Sequence, residues 1–308
     1  MKAIVLREYG GPDRLTVEEV PDPVPGPGEV LVEVEAAGVT FVETQVRADR
    51  GPRRVELPAV LGNGVAGRAL TGDLAGRRVV TTLGGTGGYA ELAVAAADQL
   101  IPVPDALSAE EAVALLADGR TAMGLFTTAA PRAGEWVLVE AAGGGVGSLL
   151  VQLAAAAGAR VIGAASSPGK RALAEKLGAE LTVDYTDPGW VERVRAAVPD
   201  GLDVVFDGVG GEIGAAAQAL LRDGGRLSAY GMAGGPMTVA GPRVSAVAFP
   251  KTDLRELAGL AMAEAAAGRL RPVIGQRLPL ERAADAHAAM EARTVTGKTL
   301  LIPADRVR

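Results

Sequence analysis

Apolar and polar positions alternate with a period of two in "VLVEVEAAGV" at 30–39, within a first hundred residues that read as short strands punctuated by turns. That period places one set of side chains on each face of an extended chain and predicts half-buried strands. "KAIVLRE" (2–8), "RRVVTTL" (77–83) and "YAELAV" (89–94) are further strand candidates, set off by the loop "PDPVPGPGE" (21–29) and the turn-forming "GGTGG". The reading is a compact β-barrel with irregular loops.

From about Ser108 the period lengthens. In "SAEEAVALLADGRTAMGLFTTA", Ser108 is a helix N-cap with Glu111 three positions on, a capping box that opens a helix. Strands are then predicted at 136–141, 160–165, 181–185, 203–209 and 225–231, and helices at 146–157, 169–177, 188–197 and 212–221. Strands alternating with helices of this length predict right-handed βαβ units in a parallel, doubly wound sheet. The chain closes with a helical stretch near 253–267, "RPVIGQRLPL", a helix containing His287, and the strand-like "GKTLLIP", pieces that would return to the first domain. The fold class is α/β, with a β-barrel domain followed by a doubly wound domain.

Composition narrows the chemistry. The 308 residues are 48% hydrophobic, enough to bury the cores of two domains. A net charge of −6, with Lys and Arg scattered, leaves no footprint for nucleic acid or an anionic membrane. There is no Cys and one His, so disulfides, thiolate nucleophiles and most zinc sites are excluded. The opening "MKAIVLREYG" is too short in apolar length for a signal peptide, and a cytoplasmic protein is expected.

The glycine run in "VLVEAAGGGVG" (137–147) follows the first strand of the alternating region and opens its first helix. Ala142, Gly144 and Gly147 fit [GA]-x-G-x-x-G, in which glycines allow a sharp turn and close approach of a pyrophosphate to a helix N-terminus. A dinucleotide site usually carries an acid at the end of the second strand for the NAD ribose. Here "VIGAASSPGKRAL" has none, and Ser166, Ser167 and Lys170 or Arg171 offer hydroxyls and charge suited to a 2′-phosphate. The cofactor expected is NADPH.

These residues carry a resemblance. "AAGGGVG" with Gln152, "ASSPGKRALAEKLGA", "DVVFDGVG", "AAGVTFVETQVRADRG", "LGNGVAG", "GGYAELAV" and "TGKTLLIP" span nearly the whole chain. Together they resemble the zinc-independent, zeta-crystallin-like quinone oxidoreductases of the medium-chain dehydrogenase/reductase superfamily. The resemblance implies a GroES-like catalytic domain over 1–113 and 265–308, a Rossmann domain over 114–264, an NADPH cleft between them, and a homodimer. It places Gly144, Gly145 and Val146 at the pyrophosphate, and Ser166, Ser167, Lys170 and Tyr185 around the 2′-phosphate. Thr121, Tyr230 and Gly231 fall at the nicotinamide half, with Arg293 reaching the cofactor from the C-terminal segment.

Departures from the family carry information. Gly143 stands where Ala is frequent, read as a permissive loosening of the turn. Thr40 and Gln45 stand where the family commonly has Asn and Tyr, and become the candidate substrate-side residues. The segment between Gly234 and Leu254 is short, which bears on dimer geometry. Positions matching the ligands of zinc-dependent relatives hold Thr40, Asn63 with Gly64, and Asp118, of which only Asp118 could bind zinc; no metal is expected. His287 reads as a helix residue rather than a general acid.

Without a Lewis acid the acceptor must already be electrophilic. The expected reaction is hydride transfer from NADPH to a quinone or another α,β-unsaturated carbonyl, with Thr40 and Gln45 steadying the oxyanion. An enoyl reductase of a biosynthetic pathway and a catalytically inactive NADPH-binding protein are the alternatives.

Overall fold

Lys2–Leu6 (β1) and Leu15–Glu19 (β2) pair antiparallel at the start of the chain, and Glu29–Val39 (β3) follows as its longest strand. The computed structural model describes residues 1–52 and 54–304. The chain forms two compact units, Met1–Ala117 with Ala261–Arg308, and Asp118–Leu260.

In the first unit β3 leads into a short helix, Phe41–Arg47 (α1), and then into Ala59–Val60 (β4), Gly64–Ala69 (β5), Arg78–Thr82 (β6), Leu92–Ala96 (β7) and Ile101–Pro102 (β8). The helix Ala109–Ala129 (α2) starts at Ser108, whose hydroxyl and N–H both donate to the Glu111 carboxylate at 2.8 and 2.9 Å, while the Glu111 N–H donates back at 3.2 Å. That is the capping box expected at this position.

The second unit runs Trp136–Glu140 (β9), Gly145–Ala156 (α3), Arg160–Ala164 (β10), Pro168–Lys176 (α4), Leu181–Val183 (β11) and Trp190–Ala197 (α5). It continues through Leu202–Asp207 (β12), Gly211–Gln218 (α6), Leu221–Ala229 (β13) and Ser245–Ala246 (β14). After Leu254–Ala266 (α7) the chain rejoins the first unit as Ile274–Pro279 (β15), Ala283–Glu291 (α8) and Lys298–Ile302 (β16).

Strand order in the first unit is β15-β16-β3-β5-β6-β8, with β7 also on β3, and β2-β1-β4 forms a second sheet. β16 pairs antiparallel with β3, so the last strand is built into the larger sheet of the first unit. Leu6, Val34, Val39, Leu61, Tyr89, Ala286 and Leu301 share one buried core there.

In the second unit six parallel strands run β11-β10-β9-β12-β13-β14. Leu138, Ile162, Val183, Trp190, Val194 and Val205 pack in the core on one face. The order reverses at β9 and β12, and in such sheets ligands bind beyond the strand carboxyl ends at that reversal.

Two differences from the sequence pattern have local causes. β11 ends at Val183, leaving Tyr185 beyond the strand, and β13 begins at Leu221, earlier than its apolar run suggests, with an irregular register against β12. The helix α1 is too short to show a period; its start is tied by Glu43, which accepts the Thr40 N–H at 2.6 Å.

Candidate functional site

In the second unit the candidate cofactor residues gather at the carboxyl end of the sheet. Ala141, directly after β9, takes the left-handed conformation with φ 48°, and the chain turns back so that the Gly144 N–H donates to the Ala141 carbonyl at 2.7 Å. Gly144 is then the N-cap of α3, with Gly145 and Val146 as its first residues. A Cβ at Gly147 would lie 2.3 Å from the Ala141 carbonyl oxygen, and one at Gly145 would lie 2.0 Å from an Asp118 carboxylate oxygen. The backbone packs closer than any side chain permits, and the helix start keeps its unpaired N–H groups and positive dipole end.

Gly143 corrects the reading of a loosened turn. A Cβ there would meet the Lys170 Cβ at 2.6 Å and its Cα at 3.1 Å. Glycine at this position lets the start of α4 close onto the glycine loop and brings the Lys170 stem beside it. Ser167 caps α4 and accepts the Lys170 N–H at 3.4 Å, with Ser166 preceding it. Arg171, the other candidate cation, is engaged elsewhere, donating to Asp184 at 2.6 Å and to the Ala165 carbonyl at 3.3 Å. Lys170 is the cation of this pair whose stem lies against the glycine loop. Tyr185 lies just past β11, at the carboxyl end of the neighbouring strand.

Tyr230 and Gly231 follow β13, and both N–H groups donate to the Asp207 carbonyl, at 2.9 and 3.2 Å. A Cβ at Gly231 would sit 2.0 Å from the Gly208 carbonyl oxygen, so the two turns at the ends of β12 and β13 pack backbone to backbone. The Tyr230 phenol is held well above its usual range by burial and by the carboxyl groups of Glu140, Asp207 and Asp118; it stays protonated. Thr121 lies on α2, half-buried, within the same unit.

Sequence reasoning missed the acids beneath this surface. Phe206 is in register with Val139, which sets Glu140 and Asp207 side by side at the ends of β9 and β12, both fully buried. As two carboxylates neither could donate to the other, and their facing oxygens would be left without partners. One shared proton resolves this. Burial, then the Asp207 hydrogen bond and charge, push Glu140 well up. For Asp207, burial raises the pKa but is outweighed by the Glu140 hydrogen bond and by the Gly210 and Val209 N–H groups, and the net direction is down. Asp207 accepts those two N–H groups at 2.7 and 2.9 Å, so it shapes the 208–211 turn. The signal was present in "WVLVE" and "DVVFD", two apolar strands that each end in an acid.

In the first unit Thr40 is the N-cap of α1 and half-buried. Its hydroxyl donates to Glu43 at 3.1 Å, and the same carboxylate accepts the Asn63 N–H at 2.7 Å and the Tyr89 hydroxyl at 3.2 Å. Tyr89 also meets His287 Nε2 at 3.1 Å. Burial and the Arg47 charge lower His287 to about 3, which makes it a neutral core residue, as its helical setting suggests. Gln45, one turn further along α1, is half-buried and donates to Thr44 Oγ1 at 3.2 Å. Arg293 follows α8 in the left-handed conformation, φ 56°. Glu43 went unread although Thr40-x-x-Glu43 has the same spacing as Ser108-x-x-Glu111. No cluster of three or more His, Cys, Asp or Glu side chains able to hold a metal ion occurs among the described residues.

Comparison with known proteins places this geometry. Residues 26–105 match the alcohol dehydrogenase GroES-like domain, and residues 145–260 match the zinc-binding dehydrogenase domain. The chain is 35% identical to a quinone oxidoreductase of Mus musculus, over 98% of each chain. It is 32% identical to a 2-haloacrylate reductase of Burkholderia sp, again over 98% of each. The structure of Escherichia coli quinone oxidoreductase complexed with NADPH matches with a TM-score of 0.88 at 28% identity, covering 98% of this chain and all of that one.

Proposed function

This chain belongs to the quinone oxidoreductases of the medium-chain dehydrogenase/reductase superfamily, and we propose that it uses NADPH to reduce a quinone or another α,β-unsaturated carbonyl without a metal. The observation that carries the cofactor half is the seat of Lys170. Gly143 admits its stem beside the glycine loop, Ser166 and Ser167 stand at the end of β10, and no acid occupies the place where a ribose 2′-hydroxyl would be bound.

The residues present fit such a nucleotide. Gly144, Gly145 and Val146 would take the pyrophosphate, and Ser166, Ser167, Lys170 and Tyr185 the 2′-phosphate. Thr121, Tyr230 and Gly231 are assigned to the nicotinamide end, with Arg293 reaching the cofactor from the C-terminal segment. When bound, NADPH supplies a hydride. On the acceptor side, Thr40 and Gln45 orient the carbonyl oxygen, and an acceptor already polarised by conjugation needs no Lewis acid. The donor set at Thr40, Asn63 and Gly64 contains no strong zinc ligand. The named activities of the relatives, quinone reduction and reduction of a haloacrylate, support an acceptor with a conjugated double bond. A homodimer in the cytoplasm completes the proposal.

Titrating NADPH and NADH against nucleotide fluorescence tests the reading. A charge-assisted contact contributes roughly 1.5 to 3 kcal/mol, so Lys170→Ala is expected to weaken NADPH about 10- to 150-fold and leave NADH nearly unchanged. Equal affinities for the two nucleotides in the unaltered protein would overturn it. Turnover of 1,4-naphthoquinone and of trans-2-hexenal with NADPH then ranks the acceptor classes.

A further inference from the structure

The reduction needs one proton as well as a hydride, and Gln45 cannot supply it because an amide does not release a proton near neutral pH. Glu43 is the titratable group in direct contact with Thr40. It is 4% exposed and reaches back from the first turn of α1 to both the N–H and the hydroxyl of Thr40, at 2.6 and 3.1 Å.

Four further parts of the chain face Glu43. Asn63, before β5, offers its backbone N–H. Tyr89, before β7, is fully buried, and burial holds its phenol well above the usual range, so it keeps its proton. His287, on α8, is fully buried and neutral, with Nδ1 lacking a partner. Arg47, on α1 itself, is paired with Glu291 of α8, and the Lys298 charge on β16 acts on Glu43. Thr40 is half-buried, and its hydroxyl touches the carboxyl.

We propose that Glu43 holds the proton that completes the reduction and passes it to the acceptor oxygen through the Thr40 hydroxyl. The assignment rests on the reading that Thr40 faces the acceptor. While Glu43 is ionised, it takes the Thr40 hydroxyl hydrogen for itself, and Thr40 has nothing to donate outward. When Glu43 is neutral, its own O–H points to Thr40 Oγ1 and frees the Thr40 hydrogen for the acceptor. Burial favours this form, raising the carboxyl against the lowering effect of the Thr40 and Asn63 N–H groups and of Lys298.

For an enone, the hydride's electron pair forms the new C–H bond at the β-carbon and the π electrons shift to oxygen. The Thr40 O–H bond breaks as the enol O–H forms, and the Glu43 O–H bond breaks to restore the Thr40 hydroxyl. The enol then becomes the ketone in water. A solvent proton returns by the same path, onto Thr40 Oγ1 with the Thr40 hydrogen moving to Glu43. One proton and two electrons are consumed per turnover.

The test compares kcat against pH at saturating NADPH, with trans-2-hexenal as acceptor, for the unaltered protein, Glu43→Gln, Thr40→Val and Thr40→Ser. The unaltered protein should lose kcat on the alkaline side of an acidic group. Glu43→Gln and Thr40→Val should lose that limb, with kcat at pH 7 down about 100- to 10,000-fold. NADPH affinity should stay within about twofold, and Thr40→Ser should restore the limb. Infrared difference spectra across the same pH range should show a carboxylic-acid C=O band that Glu43→Gln lacks and Thr40→Val retains. If Thr40→Val slows turnover while Glu43→Gln keeps both rate and limb, the proton assignment is wrong and Thr40 still faces the acceptor. If Thr40→Val is as fast as the unaltered protein, the placement of Thr40 fails and the assignment with it. Should Glu43→Gln not fold by circular dichroism, the Thr40→Val and Thr40→Ser profiles decide alone.

Discussion

At Gly143 the absent methyl group matters more than backbone freedom. The residue does not need a left-handed conformation; it needs room, because the Lys170 Cβ and Cγ would meet a methyl there at 2.6 and 2.7 Å. A real Cβ has to displace the first turn of α4, and the Lys170 charge moves with it. Gly143→Ala is therefore expected to weaken NADPH by roughly 1 kcal/mol, about fivefold, and to leave NADH almost unaffected. The ratio of the two dissociation constants, measured by nucleotide fluorescence, isolates this effect from general loosening of the loop. An unchanged ratio would show that α4 yields without moving the charge. The glycine motif was legible in the sequence by spacing alone, whereas the demand at Gly143 was not, because the atom that fills its space comes from another helix.

Strands β9 and β12 each end in an acid, and their parallel register makes those acids neighbours. Asp207 then works for the turn that follows it, accepting the Val209 and Gly210 N–H groups in a buried site. Removing it in Asp207→Ala leaves both donors unsatisfied and is expected to cost on the order of 3 kcal/mol in urea unfolding. Glu140→Gln keeps a donor toward Asp207 and should cost less than about 1 kcal/mol. Equal losses in the two variants would argue against a single proton shared by the pair. Helix α1 makes the complementary point. Its seven residues include Val42, Thr44 and Val46, β-branched types that favour helix weakly, so the hydrogen bonds from Thr40 and the burial of Val46 hold it.

Across the molecule, one buried imidazole links stability to pH. Burial and the Arg47 charge lower His287 from 6.5 to about 3, so the folded chain keeps it neutral where the unfolded chain binds a proton. The unfolded state gains that proton as pH drops below about 6.5, so stability is fully present above this value and declines toward pH 3. The slope from this group is about 1.4 kcal/mol per pH unit. Unfolding free energies at pH 6.5 and 5 should then differ by about 2 kcal/mol more in the unaltered protein than in His287→Gln. Identical slopes would assign the acid sensitivity to other groups.

Much of this architecture is written locally. Period-two alternation marked β3, short strand-like runs bounded by turns marked β1 and β6, the Ser108–Glu111 pair marked the start of α2, and apolar runs divided by glycine marked β9, α3 and β10, because each depends on residues within a turn or two of one another. The absence of Cys, the glycine spacing and the missing acid after β10 likewise pointed to a nucleotide and away from a metal before any contact was known. What only the tertiary structure decided are the meetings of distant segments. Glu43 becomes a buried acid because Asn63, Tyr89, His287 and Lys298 arrive from four other parts of the chain. Glu140 finds Asp207 through a register set by packing across the whole sheet. Burial and charge at those points depend on which elements pack together, and that is a property of the folded core rather than of any window of sequence.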